Sequence, residues 1–149
     1  MYAKLPNLGE FQIFLLSDSK LTPAQAAAQA LDSLVLAQSP LLDLSRIAYV
    51  SSSTNELGLN PGGKIGDSIR SQLTGVGMAI PFVILADGAR IGLGTFVSSI
   101  SSSFYAGPNV TIENIQPDSL ALMMTPTTVN PLKDSRVVKA LSETGKLIP

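Results

Sequence analysis

The chain contains no cysteine, no histidine and no tryptophan. Without cysteine there can be no disulfide, no thiolate zinc site and no thiol nucleophile. Without histidine the commonest general base is missing. Charge is scarce as well: 14% of residues are charged, against about 25% in an ordinary soluble domain. The ten basic and eleven acidic residues leave a net charge of −1. They form no basic cluster, which predicts no direct contact with nucleic acid.

Long apolar runs are also lacking. None approaches the roughly 20 residues of a membrane span, so no membrane partner is expected. Phe11 to Leu16 is apolar, but Glu10 and Gln12 interrupt it and no small-residue cleavage site follows. That is not a secretion signal. The expectation is a product made in the cytoplasm without export, then incorporated into an assembled particle.

What is present is 45% hydrophobic residues and a large share of serine and threonine. A chain of this length can bury roughly 68–70% of its unfolded surface, so it needs no metal or disulfide staple. Residues 1–9, with Pro6 and Gly9, read as an N-terminal arm. Residues 10–149 read as one α+β domain. Tyr2, on the arm, is the aromatic expected outside the core, docked on a neighbouring subunit.

Glu10 to Leu16 reads as a strand. Thr22-Pro23 is a helix start, with a helix expected from Pro23 to about Gln38 and an alanine-rich apolar face. Arg46 to Ser52 reads as a strand, Ser53 to Gly63 as a loop, and about Asp67 to Leu73 as a short helix. Ala79 to Ala86 is a buried strand, with Pro81 pushing its first part to an edge or a bulge. Asp87-Gly88 is a two-residue hairpin turn. The return strand is expected to start near Ala89 and reach Tyr105, with a bulge or bend. Val110 and Ile112 alternate with polar residues, and Leu120 to Thr125 makes a last strand. Asn130-Pro131 starts the final helix, which stops at Gly145. The expected fold is α+β: a mixed or antiparallel sheet of about five or six strands. Two longer helices and one short helix pack on it, and the back half is antiparallel. Phe11, Phe14, Phe82, Phe96 and Phe104 are the expected core aromatics.

Four patterns bear on chemistry. Gly58-Leu59-Asn60-Pro61-Gly62-Gly63-Lys64-Ile65 matches the first seven positions of a phosphate-binding loop. It lacks the final Ser or Thr that would hold Mg²⁺. Gly58, Gly63 and Lys64 are therefore the candidate residues of an alternative reading, a small phosphate- or nucleotide-binding protein. The carboxylates show no paired spacing; Asp18, Asp67, Asp118 and Asp134 fall where caps and turns are expected. For a Ser–Lys dyad the least poor choice is Lys64 with Ser68, at i and i+4, without the usual motif. Asn109-Val110-Thr111 fits the glycosylation triplet, which is read as a chance occurrence. No catalytic residue, cofactor or metal is expected.

The leading expectation is a non-enzymatic structural subunit of a homo-oligomeric particle. A virion or phage-tail component fits by composition. Its partners would be other copies of itself and other structural proteins, held by apolar packing and strand-edge pairing. The Arg90–Tyr105 stretch and the alanine-faced helix are the expected contact elements.

Overall fold

A computed structural model describes residues 10–101, 105, 107–125 and 128–149. The N-terminal arm, Tyr2 and Phe104 lie outside the described residues.

The strand that organises the molecule is β4, Ala79–Ala86. Its side chains alternate between two apolar environments. Ile80, Phe82, Ile84 and Ala86 enter a major core, while Val83 and Leu85 enter a smaller one with Leu16, Ala26 and Leu34. Burial on both faces explains why the segment is a continuous apolar run and not an alternating one. β4 pairs antiparallel with β1 (Phe11–Leu15) on one side and with β5 (Ala89–Val97) on the other. The hairpin turn is as expected. Asp87 and Gly88 have φ of 49° and 81°, the left-handed pair such a turn requires. β5 shifts register between the pairs Ile84↔Gly92 and Leu85↔Arg90, which is the expected irregularity. Pro81 lies in the first part of β4, which pairs with β5 on one side and is left open by β1 on the other, as expected. Its missing N–H is tolerated because β1 ends opposite Phe82, one residue short of it.

Two sheets replace the single one expected. The first has the order β1-β4-β5-β6, with β6 at Asn109–Thr111. The second has the order β7-β3-β2-β8: β2 is Ile47–Ser51, β3 Glu56–Leu59, β7 Ser119–Ala121 and β8 Leu147–Ile148. β3 lies within the stretch read as a loop. Its Gly58 gives it a weak strand signal, yet that glycine sits against the Tyr49 ring, where a Cβ would come within 2.0 Å. The back half is not purely antiparallel, since β6 runs parallel to β5 and β8 parallel to β2. The major core takes residues from both sheets, among them Phe11, Phe82 and Phe96 with Ile47, Val50 and Leu57. The rings of Phe82 and Phe96 lie 4.6 Å apart and tilted by 45°. Gly94 is placed opposite Phe82, where any Cβ would strike that ring.

The helices also differ from expectation. α1 covers only Pro23–Ala27, starting at Thr22-Pro23 as expected, and Gln25 completes a capping box with Thr22. A 3₁₀ turn follows at Leu31–Ser33. The chain is then extended along β1: Ser17 N donates to Val35 O and Ala37 N to Leu15 O, both at 2.9 Å. The Arg90 guanidinium fixes the Leu31 and Leu34 carbonyls. An alanine face buries little area, so the longer helix had little packing to hold it, and the open edge of β1 took the backbone instead. α2 (Ile65–Leu73) and α3 (Ser135–Glu143) are nine residues each. α2 buries Ile69 and Leu73 and α3 buries Val137, Ala140 and Leu141, at helical spacing. Asp134 caps α3, its side chain accepting from Arg136 N.

Candidate functional site

The phosphate-loop match is distributed over elements that have other work. Gly58 lies in β3, paired antiparallel on both sides. Asn60 is tied by its amide N–H to Arg46 O and by its side chain to Ser45 O. Gly63 and Lys64 end the loop, Lys64 with φ of 50° at the N-terminus of α2. The Gly66 amide in the first turn of α2 donates to Pro117 O at 2.9 Å. A Cβ on Gly66 would meet Gln116 O at 1.7 Å, so this glycine serves close backbone packing. Asp67 in the same turn pairs with Arg70. Asp87 is taken by the hairpin and accepts from Glu10 N at 2.9 Å. Lys64 and Ser68 meet through the backbone, Ser68 N donating to Lys64 O at 3.1 Å. Among the described residues no group of three or more carboxylates or other ligating side chains could hold a metal ion.

A different place gathers unusual features: the open end of the β4–β5 hairpin. β5 ends at Val97 and does not continue to Tyr105. Glu113 explains the stop. Its carboxylate accepts from Ser98 Oγ at 2.9 Å and from Ser99 N at 2.8 Å, folding the serine-rich segment into a turn. The Ser99 amide, with the Ser98 hydroxyl in support, holds the Glu113 carboxyl below its ordinary pKa. Ser98 N in turn donates to Met78 O at 2.7 Å. Met78 and Ile100 are 49% and 78% exposed. Across the sheet, Val97 pairs with Thr111, and the Thr111 hydroxyl lies 3.8 Å from the sulfur of Met123, itself 53% exposed. Met124, by contrast, packs partly buried on the major core. One of the two neighbouring methionines faces in, as strand spacing suggests.

Between these segments lies a cavity of about 370 Å³. Val97, Met123 and Met124 give it apolar walls. Hydroxyls of Ser98, Thr111 and Thr125 and the amides of Asn109 and Asn114 supply its polar groups, and among the described residues no charged side chain lines it. Asn109 is 7% exposed. Its Nδ2 donates to Tyr105 O at 2.9 Å and to Gly107 O at 3.0 Å. Its backbone exchanges hydrogen bonds with Met123. In the triplet Asn109-Val110-Thr111 the first two residues are thus buried and Thr111 is half-buried. Asn109 Oδ1 is buried and has no hydrogen-bond donor among the described residues. Sequence reasoning noticed Asn109 for its triplet and did not single out Glu113. Nothing local to either residue signals its role, because Glu113 bonds serines fourteen and fifteen residues away and Asn109 bonds the backbone of Met123.

The class defined by this architecture is α+β, two four-stranded sheets sharing one core. Comparison with protein-family models, with curated proteins and with solved structures finds no match. Among the described residues no helix is long and apolar enough to cross a membrane.

Proposed function

We propose that this chain is a non-enzymatic assembly subunit that packs against other copies of itself, a component of a particle of the virion or phage-tail type. The observation that carries the reading is the grouping of Met78, Ile100 and Met123 at the open end of the hairpin. Ser98 N bonds Met78 O, Val97 pairs with Thr111, and the Thr111 hydroxyl approaches Met123, so these side chains rise from neighbouring segments at one end of the sheet. Isolated exposed apolar residues are ordinary, but several together, rimmed by serine and threonine hydroxyls, resemble a contact surface. Apolar burial supplies the driving force, about 25 cal/mol per Å² removed from water. A net charge of −1 leaves little repulsion between copies.

Strand-edge pairing has less support than apolar packing. The outer edge of β1 is occupied by bridges from Leu36 and Leu42, and Asn109 in β6 bridges to Met123. The contact elements in this reading are therefore the open hairpin end and the exposed alanines of α1 (Ala24 and Ala27). They replace the longer strand and helix expected from sequence.

Sedimentation velocity tests the reading. The parent chain should give a defined oligomer that survives dilution to micromolar concentration. The double substitution Met78→Lys with Ile100→Lys should convert it to a folded monomer. A parent chain that sediments as a monomer overturns the reading.

A further inference from the structure

We propose that Met78 and Met123 form an oxidation site. A peroxide converts both thioethers to sulfoxides in the free chain, and the oxidised chain then fails to assemble. The oxidation itself stands on the single chain, while its effect on assembly rests on the self-packing reading above. The chain offers an oxidant few targets. It has no cysteine, histidine or tryptophan and four methionines, so the polarizable thioether is the group that yields first. Reaction follows access to the sulfur. Met78 is 49% and Met123 53% exposed, whereas Met124 is partly buried against the major core. Met1 lies outside the described residues. Met123 and Met124 are neighbours in sequence, one meeting solvent and the other the core, so each serves as a control for the other.

The reaction balances with the peroxide alone. A sulfur lone pair attacks one peroxide oxygen, an S–O bond forms and the O–O bond breaks. The departing hydroxide takes the proton from the transferred oxygen and leaves as water. Sulfur gives up two electrons and the peroxide accepts them. Met123 is placed to hold its position afterwards. The Thr111 hydroxyl already donates to its sulfur at 3.8 Å. A thioether sulfur is a weak acceptor, and the polar sulfoxide oxygen is a better one for the same donor. Ser98 and Asn114 line the cavity beside it with a hydroxyl and an amide. Met78, half exposed, meets water. The fold therefore tolerates both sulfoxides. The contact face does not, because Met78 and Met123 turn polar and leave Ile100 as its apolar member. In the assembly the same side chains are covered, so the oxidant acts on chains not yet joined.

The test adds hydrogen peroxide to the full chain over a dilution series. Peptide mass spectrometry reads each methionine, and sedimentation velocity reads the assembly. In the free chain, Met78 and Met123 should oxidise several-fold faster than Met124, and in the oligomer that lead should disappear. The oxidised chain should keep the far-ultraviolet circular dichroism of the parent and sediment as a monomer. Met78→Leu with Met123→Leu removes both sulfurs and keeps an apolar face, so this variant should assemble before and after peroxide. Met124 oxidising as fast as Met78 and Met123 in the free chain overturns the site. Loss of the folded spectrum on oxidation overturns its tolerance by the fold. An oligomer that persists with both sulfoxides in place, or peroxide dissolving the doubly substituted oligomer, overturns the effect on assembly and leaves the self-packing reading standing. A parent chain monomeric at every concentration overturns that reading and the effect on assembly together, and the order of oxidation then decides the site alone.

Discussion

The two ends of the β4–β5 hairpin are built from one continuous pair of strands and end in opposite ways. At the tip, Asp87 and Gly88 take the left-handed conformations, and the Asp87 backbone and carboxylate both bond Glu10. At the open end, the chain leaves β5 through serines held by Glu113, and Met78, Ile100 and Met123 face outward. The tip is closed by local backbone chemistry. The open end is held by one backbone bond, from Ser98 N to Met78 O, and by a side chain reaching over from residue 113, and it leaves apolar surface uncovered. A sheet can therefore be finished at one end and unfinished at the other, and the unfinished end is where a contact belongs.

The strongest way to break the comparison is to remove what both ends share. Phe82 stands in the middle of β4 against Phe96, fully buried. Phe82→Ala should cost about 3–5 kcal/mol by chemical denaturation and loosen both ends together. Gly88→Ala acts on the tip alone. With φ of 81° at that position, a Cβ should cost about 1–2 kcal/mol, and amide exchange should rise first around Glu10 and Asp87. Protection falling equally at Ser99 would mean that the two ends are one cooperative unit. Met78→Lys with Ile100→Lys acts on the open end. Each substitution is at an exposed side chain, so unfolding free energy should change by less than about 0.5 kcal/mol per site, while the oligomer is lost. A large stability loss in the monomeric variant would place those side chains in the fold and not in a contact.

How much of this was legible in the sequence follows from how local each signal is. Asp87-Gly88 and the Thr22-Pro23 cap were readable because their geometry is set within four residues. Asn130-Pro131 opens a 3₁₀ turn at Pro131–Lys133 and not the final helix, which starts at Ser135 under the Asp134 cap. The burial of Phe11, Phe82 and Phe96 followed from their place in apolar segments. The division into two sheets was not readable, since β3, β7 and β8 are four, three and two residues long. Such strands exist by pairing and not by pattern. The helix expected to reach Gln38 failed for the same reason: Val35 and Ala37 satisfy the edge of β1, a demand nothing in their own segment announces. The candidate site was the least legible part. Glu113 contacts Ser98 and Ser99 across a gap of fourteen to fifteen residues. The burial of Asn109 depends on carbonyls presented by its own turn and on Met123. The phosphate-loop match was legible as a string, but Gly58 and Gly66 answer to Tyr49 and Gln116.

The finest distinction between the two ends is electrostatic, and pH can isolate it. The Glu113 carboxyl is held below its ordinary value of about 4.3 by the Ser99 amide first and by the Ser98 hydroxyl as well. A lowered carboxylate pKa means that the ionised form is favoured in the folded state. Its contribution is fully present above the unfolded value and is lost as pH falls through the lower, folded value. The turn at the open end should therefore hold from neutral pH down past about 4.3 and release only below it. The Ser99 amide proton reports this directly, because its chemical shift follows the charge of the oxygen it bonds. Its titration should show an inflection below the ordinary glutamate value, with a downfield position at neutral pH. Glu113→Gln keeps an acceptor but removes the charge, so the inflection should vanish while the Asp87 amide at the tip, bonded to a backbone carbonyl, is unchanged by the substitution. An inflection at or above the ordinary value would mean that Glu113 does not hold the turn in solution, and the exposed side chains of Met78 and Ile100 would then owe their position to the strands alone.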